Sequence, residues 1–184
     1  AHLSIAAGDL SRMWTLDEVT SAVSGFADAC VEAALGASLR ARGLSAEGLF
    51  VVALGKMGAG ELNYSSDIDV AAFYDPNVFD GGERAPGDAA SRVVRDMVRL
   101  LDERTEHGYV FRTDLRLRPD PSSTPLAVST RMAELYYESV GQNWERMVWI
   151  TARACAGDRN VARAFLDAMQ PFVWRRHLDY WAIA

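Results

Sequence analysis

Blocks of apolar residues with contrasting periods run along the chain. Val19, Val23, Phe26, Cys30, Val31, Ala34 and Leu35 repeat at helical spacing behind Thr15-Leu-Asp-Glu18. That tetrapeptide has the form of a capping box, so a helix is predicted from Thr15 to about Arg42, with Gly43 as its stop. Leu49 to Leu54 is an unbroken apolar run between Gly48 and Gly55 and predicts a buried strand. Asp67 to Tyr74 predicts a second strand, ended by Asp75-Pro76. A polar, glycine-rich loop over 80–88 leads into a helix whose apolar stripe is Val93, Val94, Met97, Leu100 and Leu101, closed by His107-Gly108. Tyr109 to Arg118 alternates with period two and predicts a third strand. Phe111, Leu115 and Leu117 take one face; Arg112, Asp114, Arg116 and Arg118 take the other. Prolines 119, 121 and 125 then break the pattern. Past Ser129 the period is helical over about 130–140, 142–156 and 159–180, with a break at Pro171. In that part Tyr136, Tyr137, Trp144 and Trp149 fall at core-like spacing, and Arg146 and Arg153 share a helix face that could meet an anion. Trp174-Arg-Arg-His177 reads as a surface or interdomain stretch.

These elements predict an α+β fold: a small mixed sheet backed by helices over residues 1–126, and a helical subdomain over 127–184. The chain has 184 residues, 49% apolar and 24% charged, which fits a globular protein with a full core. No apolar run approaches the roughly 20 residues of a membrane span, and the N-terminus lacks the basic start and apolar centre of a signal peptide. A membrane is therefore not expected as a partner, and a cytoplasmic location is. The net charge of −6 disfavours nucleic acid. Cys30 and Cys155 lie far apart in helix-like patterns and read as free thiols of a reducing compartment. The chain begins without Met and stops within an apolar pattern, so a fragment of something longer is expected.

The most specific chemistry lies between the first two strands. Asp67 and Asp69, two apart on a β pattern, share a face. Two carboxylates side by side repel unless a cation lies between them, and magnesium commonly takes one or two carboxylates together with substrate phosphates. If the third strand pairs beside the second, Asp114 completes a triad able to hold two divalent ions, and Arg116 and Arg118 can grip phosphate oxygens. The glycines from Gly55 onward let backbone N–H groups approach phosphate. Lys56 reads equally as a phosphate ligand or a surface lysine. Ser65 and Ser66 suit a phosphate, or simply cap the turn. Neither the Walker A spacing nor Gly-x-Gly-x-x-Gly is present. Phosphoryl or nucleotidyl transfer is the chemistry these features suggest.

A glycine-rich turn, Asp-x-Asp on a strand and a later third Asp together resemble the polymerase-β-like nucleotidyltransferase superfamily. Gly55-Lys-Met-Gly-Ala-Gly-Glu-Leu-Asn-Tyr-Ser-Ser-Asp-Ile-Asp69, Phe111-Arg-Thr-Asp-Leu-Arg-Leu-Arg-Pro119, Tyr136-Tyr137, Gly141-Gln-Asn-Trp-Glu-Arg146, Ala152-Arg153 and Ala156-Gly-Asp158 occur in this order. That series closely resembles the glutamine synthetase adenylyltransferase/adenylyl-removing family. The resemblance implies one of that family's two nucleotidyltransferase units. Arg118-Pro-Asp-Pro-Ser-Ser-Thr-Pro-Leu126 and Pro171-Phe-Val-Trp-Arg-Arg176 are similar to its N-terminal, adenylyl-removing half. The implied reaction is phosphorolysis of AMP from a tyrosine of glutamine synthetase, with phosphate consumed and ADP released. Asp67, Asp69 and Asp114 would hold two Mg²⁺; Gly55, Lys56, Ser65, Ser66, Arg116, Arg118 and Arg153 would serve nucleotide and phosphate. Implied partners are glutamine synthetase, ADP or ATP, phosphate and, through the longer enzyme, a PII-type signalling protein. The alternatives are the adenylylating unit using ATP, a transferase acting on small molecules or RNA ends, and an idle nucleotide- or effector-binding unit. Two positions depart from the family: Thr151 stands where a lysine is usual, and Pro121-Ser-Ser-Thr-Pro125 replaces a Gly-x-x-Gly element.

Overall fold

The computed structural model describes residues 2–174. A five-stranded mixed sheet lies between two layers of helices. The sequence-predicted helix is α2, Leu16–Arg40, following a short α1, His2–Leu10, which the sequence pattern does not announce. Thr15 caps α2 as expected: its hydroxyl accepts the Glu18 N–H at 3.3 Å, and Glu18 accepts the Thr15 N–H at 2.7 Å. By length and composition α2 is apolar enough to cross a membrane, contrary to the expectation of no such run. Here it is a core helix. Val19, Val23, Ala27, Val31 and Leu35 are buried, and its polar side pairs with the sheet, Asp28 with Arg153 and Glu32 with the Gly157 N–H at 3.0 Å.

Next come β1, Leu49–Ala53, the five-residue α3, Gly55–Ala59, and β2, Ile68–Tyr74. The glycine-rich turn is thus a turn of helix that ends on Gly60 in the left-handed region, φ 76°. β1 and β2 pair antiparallel, Leu49 opposite Tyr74 through Ala53 opposite Val70. Both strands are buried on both faces, which is why they read as continuous apolar runs. Leu49, Val51, Ala53, Val70 and Ala72 face α2 and α4, Pro86–Asp102. Phe50, Val52, Leu54, Ala71 and Phe73 face α5, Thr130–Ser139, α6, Asn143–Trp149, and α7, Arg159–Val173. This second core is aromatic: the Phe73 ring centroid lies 4.8 Å from Phe165 and 5.9 Å from Trp149.

The predicted third strand is much shorter than its alternation suggests. β3 is only Thr113–Asp114, parallel to the start of β2, with Ile68 opposite Thr113 and Asp69 opposite Asp114. Past Asp114 local bonds replace the ladder. The Arg116 N–H donates to Asp114 Oδ1 at 2.8 Å, and the Arg118 guanidinium donates to the carbonyls of Leu115, Pro121, Thr124 and Pro125. The chain then returns to the same edge of β2 as β4, Ala127–Ser129.

The expectation of an all-helical stretch after residue 126 is corrected by β4 and by β5, Arg153–Gly157, which pairs antiparallel with β1. Residues 153–156 lie where a helix over 142–156 was expected. The open edge of β1 and the underside of α2 claim them, burying Cys155 and Ala156 completely; tertiary context overrides the local helical period. Arg153 consequently shares no helix face with Arg146. Among the aromatics of this part, Tyr137 and Trp149 are core, whereas Trp144 is exposed. Pro171 sits inside the last turn of α7, which ends two residues later. The expectations for residues 175–180 lie outside the described residues. Both cysteines are free, and burial pushes the Cys155 thiol up to about 12.

Candidate active site

Asp69 shares its face of β2 with Ala71 and Phe73, so its carboxyl lies at the end of the aromatic core, where that face opens toward solvent. Its register partner on the parallel neighbour is Asp114, and in-register neighbours share a face. Asp67 precedes β2 by one residue with the same parity. Burial raises the Asp69 pKa above the ordinary carboxylate value, and the charges of Asp114 and then Asp67 raise it further, against the pull of Arg116 and Lys56. The carboxyl has no hydrogen-bond or ion-pair partner among the described residues. Asp114 behaves oppositely. Its hydrogen bonds to the Arg116 side chain, Nε to Oδ1 at 3.0 Å and to Oδ2 at 2.9 Å, hold its pKa below the usual range.

Arg112, which the sequence places on the charged face with Arg116 and Arg118, is a central contact. It pairs with Asp67, is about half-buried, and donates to the Ser65 carbonyl at 2.6 Å and to the Tyr109 hydroxyl at 3.1 Å. It thus ties the connector ahead of β2 to the segment ahead of β3. The signal for it was its place in the Arg112/Asp114/Arg116/Arg118 alternation. Asn63 shapes the same connector by accepting the Ser65 N–H at 3.2 Å and the Ser66 hydroxyl at 2.8 Å. A cavity of about 180 Å³ lies there, walled by Tyr64, Ser65, Ser66, Tyr109 and Arg112.

Gly55 lies against the Asp69 carboxylate. A Cβ built on it falls 2.7 Å from Asp69 Oδ2, and its φ is +53°. Lys56 acts on Asp69 through space and makes no ion pair among the described residues. Arg118 and Arg153 have other engagements. Arg118 organises the 115–126 loop by its carbonyl contacts. Arg153 makes a two-pronged pair with Asp28, at 2.6 and 3.0 Å, and donates to the carbonyls of Gly58 and Met57 at 3.1 and 2.8 Å. It therefore locks α3 onto α2 and β5. Arg153→Met is expected to lower unfolding free energy in urea by about 2 kcal/mol, the scale of hydrogen bonds to a charged group. Thr151 donates to the Val148 carbonyl at 3.2 Å and presents its own carbonyl to Gly58.

Among the described residues no three His, Cys, Asp or Glu side chains already stand together as a ready metal cage. The outer two carboxylates, Asp67 and Asp114, are turned to Arg112 and Arg116. The donors themselves fit a hard divalent cation: three carboxylates, two of them in register and all electrostatically coupled at Asp69. In this arrangement two of the three carboxylates are held by arginines instead of a cation.

A small mixed sheet with acidic groups at one end, next to a glycine-rich turn, is consistent with a nucleotidyltransferase-like domain. The profile of the family described as glutamate-ammonia ligase adenylyltransferase matches residues 1–168. The bifunctional glutamine synthetase adenylyltransferase/adenylyl-removing enzyme of Caulobacter vibrioides is 52% identical over the whole of this chain and 20% of its own length. Those of Rhizobium meliloti and of a Bradyrhizobium strain are 49% and 48% identical, over 98% and 100% of this chain and again 20% of their own lengths. The chain belongs to the glutamate-ammonia ligase adenylyltransferase family, and it spans about a fifth of the length of the curated relatives it matches.

Proposed function

We propose that this chain is a polymerase-β-like nucleotidyltransferase unit that releases AMP from an adenylylated tyrosine of glutamine synthetase by phosphorolysis. The register pairing of Asp69 with Asp114, with Asp67 two residues from Asp69, carries the reading. Its relatives' names give the protein substrate, and the Arg118–Leu126 segment favours removal over addition.

In this reaction an oxygen of hydrogen phosphate attacks the phosphorus of the tyrosyl-AMP diester. The new P–O–P bond makes ADP, the P–O bond to tyrosine breaks, and the proton released by phosphate ends on the tyrosine oxygen. Phosphate is already an oxyanion, so the barrier is chiefly that of gathering anions and stabilising spread charge. Asp67, Asp69 and Asp114 would hold Mg²⁺, which supplies charge neutralisation and orientation of the reacting oxygens when bound. Arg116 meets phosphate oxygens with its fork of donors. Arg112 holds Asp67 and the 63–66 connector in place. Gly55 leaves room for the Asp69 carboxylate, and Ser65 and Ser66 border the cavity open to the substrate. Arg118 and Arg153 act at one remove, by fixing the loop that bears Arg116 and the helix that bears Lys56.

The test is incubation of the full chain with AMP-labelled glutamine synthetase, Mg²⁺ and phosphate. ADP is the expected product, in amounts that rise with phosphate. Free AMP without phosphate dependence means hydrolysis and overturns the proposal. Incorporation of AMP from ATP, without release, identifies the adenylylating unit instead. Binding of nucleotide with no turnover identifies an idle unit and overturns the proposal.

A further inference from the structure

The two arginines at the acidic cluster are held very differently. Arg112 has three anchors, the Asp67 carboxylate, the Ser65 carbonyl and the Tyr109 hydroxyl. Arg116 has one, since among the described residues every hydrogen bond of its guanidinium is to Asp114. Its side chain is 83% exposed, whereas that of Asp114 is 16% exposed. An ion pair so open to water contributes little to holding either partner, and it yields readily to a competing charge. Asp114 is the carboxylate in register with Asp69, and Asp69 has no arginine of its own among the described residues.

Resting on the nucleotidyltransferase reading, we propose that Arg116 is an exchange arm: it occupies Asp114 until a divalent cation takes that carboxylate, and the freed guanidinium then grips the incoming phosphate. The charge balance favours such a trade. A cation at Asp69 and Asp114 beside a bound guanidinium would place two positive groups on one carboxylate. Handing the guanidinium to a phosphate oxygen removes that repulsion and supplies the bidentate geometry that arginine offers an oxyanion. Arg112 stays in place because its carbonyl and hydroxyl contacts survive the loss of any one partner. The consequence is positive cooperativity between cation and phosphate. Because binding linkage is reciprocal, each ligand tightens the other by the same factor.

The test is titration of the full chain with Mn²⁺, read by the electron-paramagnetic-resonance signal of the free ion, with and without inorganic phosphate and corrected for the complex of the two in solution. Phosphate is expected to tighten Mn²⁺ binding about ten-fold in the parent protein. Arg116→Gln is expected to bind Mn²⁺ more tightly than the parent without phosphate and to lose the phosphate effect. Arg116→Lys, which keeps the charge and loses the fork, is expected to retain only part of it. If Arg116→Gln binds Mn²⁺ and keeps the full phosphate effect, the exchange is overturned while the metal reading stands. If the parent binds no Mn²⁺ with or without phosphate, both are overturned. Circular dichroism of each variant confirms that the fold is retained.

Discussion

Asp69→Asn is expected to lower AMP release by about 10³-fold, the scale of removing one preorganised electrostatic group from a reacting centre, while leaving the metal-free protein at least as stable at pH 7. The pKa of Asp69 is raised by burial and by its two carboxylate neighbours. A raised folded-state pKa means that the group's contribution to stability is complete below its unfolded pKa and is lost as pH rises through the folded value. Once ionised, the side chain therefore weakens the fold, and an amide relieves it. Asp114→Asn is expected to lower AMP release as well but to destabilise slightly, because its pair with Arg116 is largely open to water. Its pKa is depressed by Arg116, so its contribution is present above the unfolded pKa and disappears as pH falls through the folded one. Thermal melts at pH 7 in the presence of a chelator separate the two: Tm unchanged or higher for Asp69→Asn, lower for Asp114→Asn. Both variants melting alike would contradict the electrostatic asymmetry, and normal activity in either would remove the carboxylates from the chemistry.

Gly55→Ala and Gly58→Ala are expected to lose about 1–3 kcal/mol each in urea unfolding, the usual range for overpacking, for different reasons. At Gly58 a Cβ would lie 2.3 Å from the Thr151 carbonyl and 2.9 Å from that of Ala53, so it meets backbone on two sides and neither can step aside. At Gly55 the φ of +53° is itself strained for alanine, and the Cβ presses on Asp69 Oδ2. Gly55→Ala therefore combines lost stability with a displaced carboxylate, and its activity should fall further than that of Gly58→Ala at matched stability. Equal activities would mean that Gly55 serves only the turn.

Much of this was legible in the sequence because local and tertiary preferences agree. Thr15 and Glu18 close a capping box in any context, and β1 and β2, buried on both faces, could only read as apolar runs. The Asp67/Asp69 parity followed from the strand period alone. Other parts were hidden because distant groups decide them. Residues 153–157 have an indifferent local pattern and become a strand because β1 offers an edge. The Tyr109–Arg118 alternation promised a ten-residue strand, yet Arg118 turns inward to four carbonyls and the strand is lost past Asp114. Several positions that carry the family resemblance have structural duties. Glu145 is buried, accepting the Gln142 N–H at 2.7 Å and the Tyr136 hydroxyl at 3.1 Å. Asp158 caps α7 and accepts the Gly48 N–H at 3.0 Å, which lowers its pKa. Sequence similarity at those sites reports the scaffold, not the chemistry.

The placement of β3 and β4 end to end along one side of β2 also bears on self-association. Their outer rims are only two and three residues long, separated by the 115–126 excursion, and at the second the Ala127 N–H is already donated to Ser91 Oγ at 3.4 Å. Neither rim is long enough to recruit a strand from another molecule, so this side of the sheet is guarded against fibrous stacking. Shortening the excursion until the two pieces fused would create one continuous rim, long enough to template pairing with another chain.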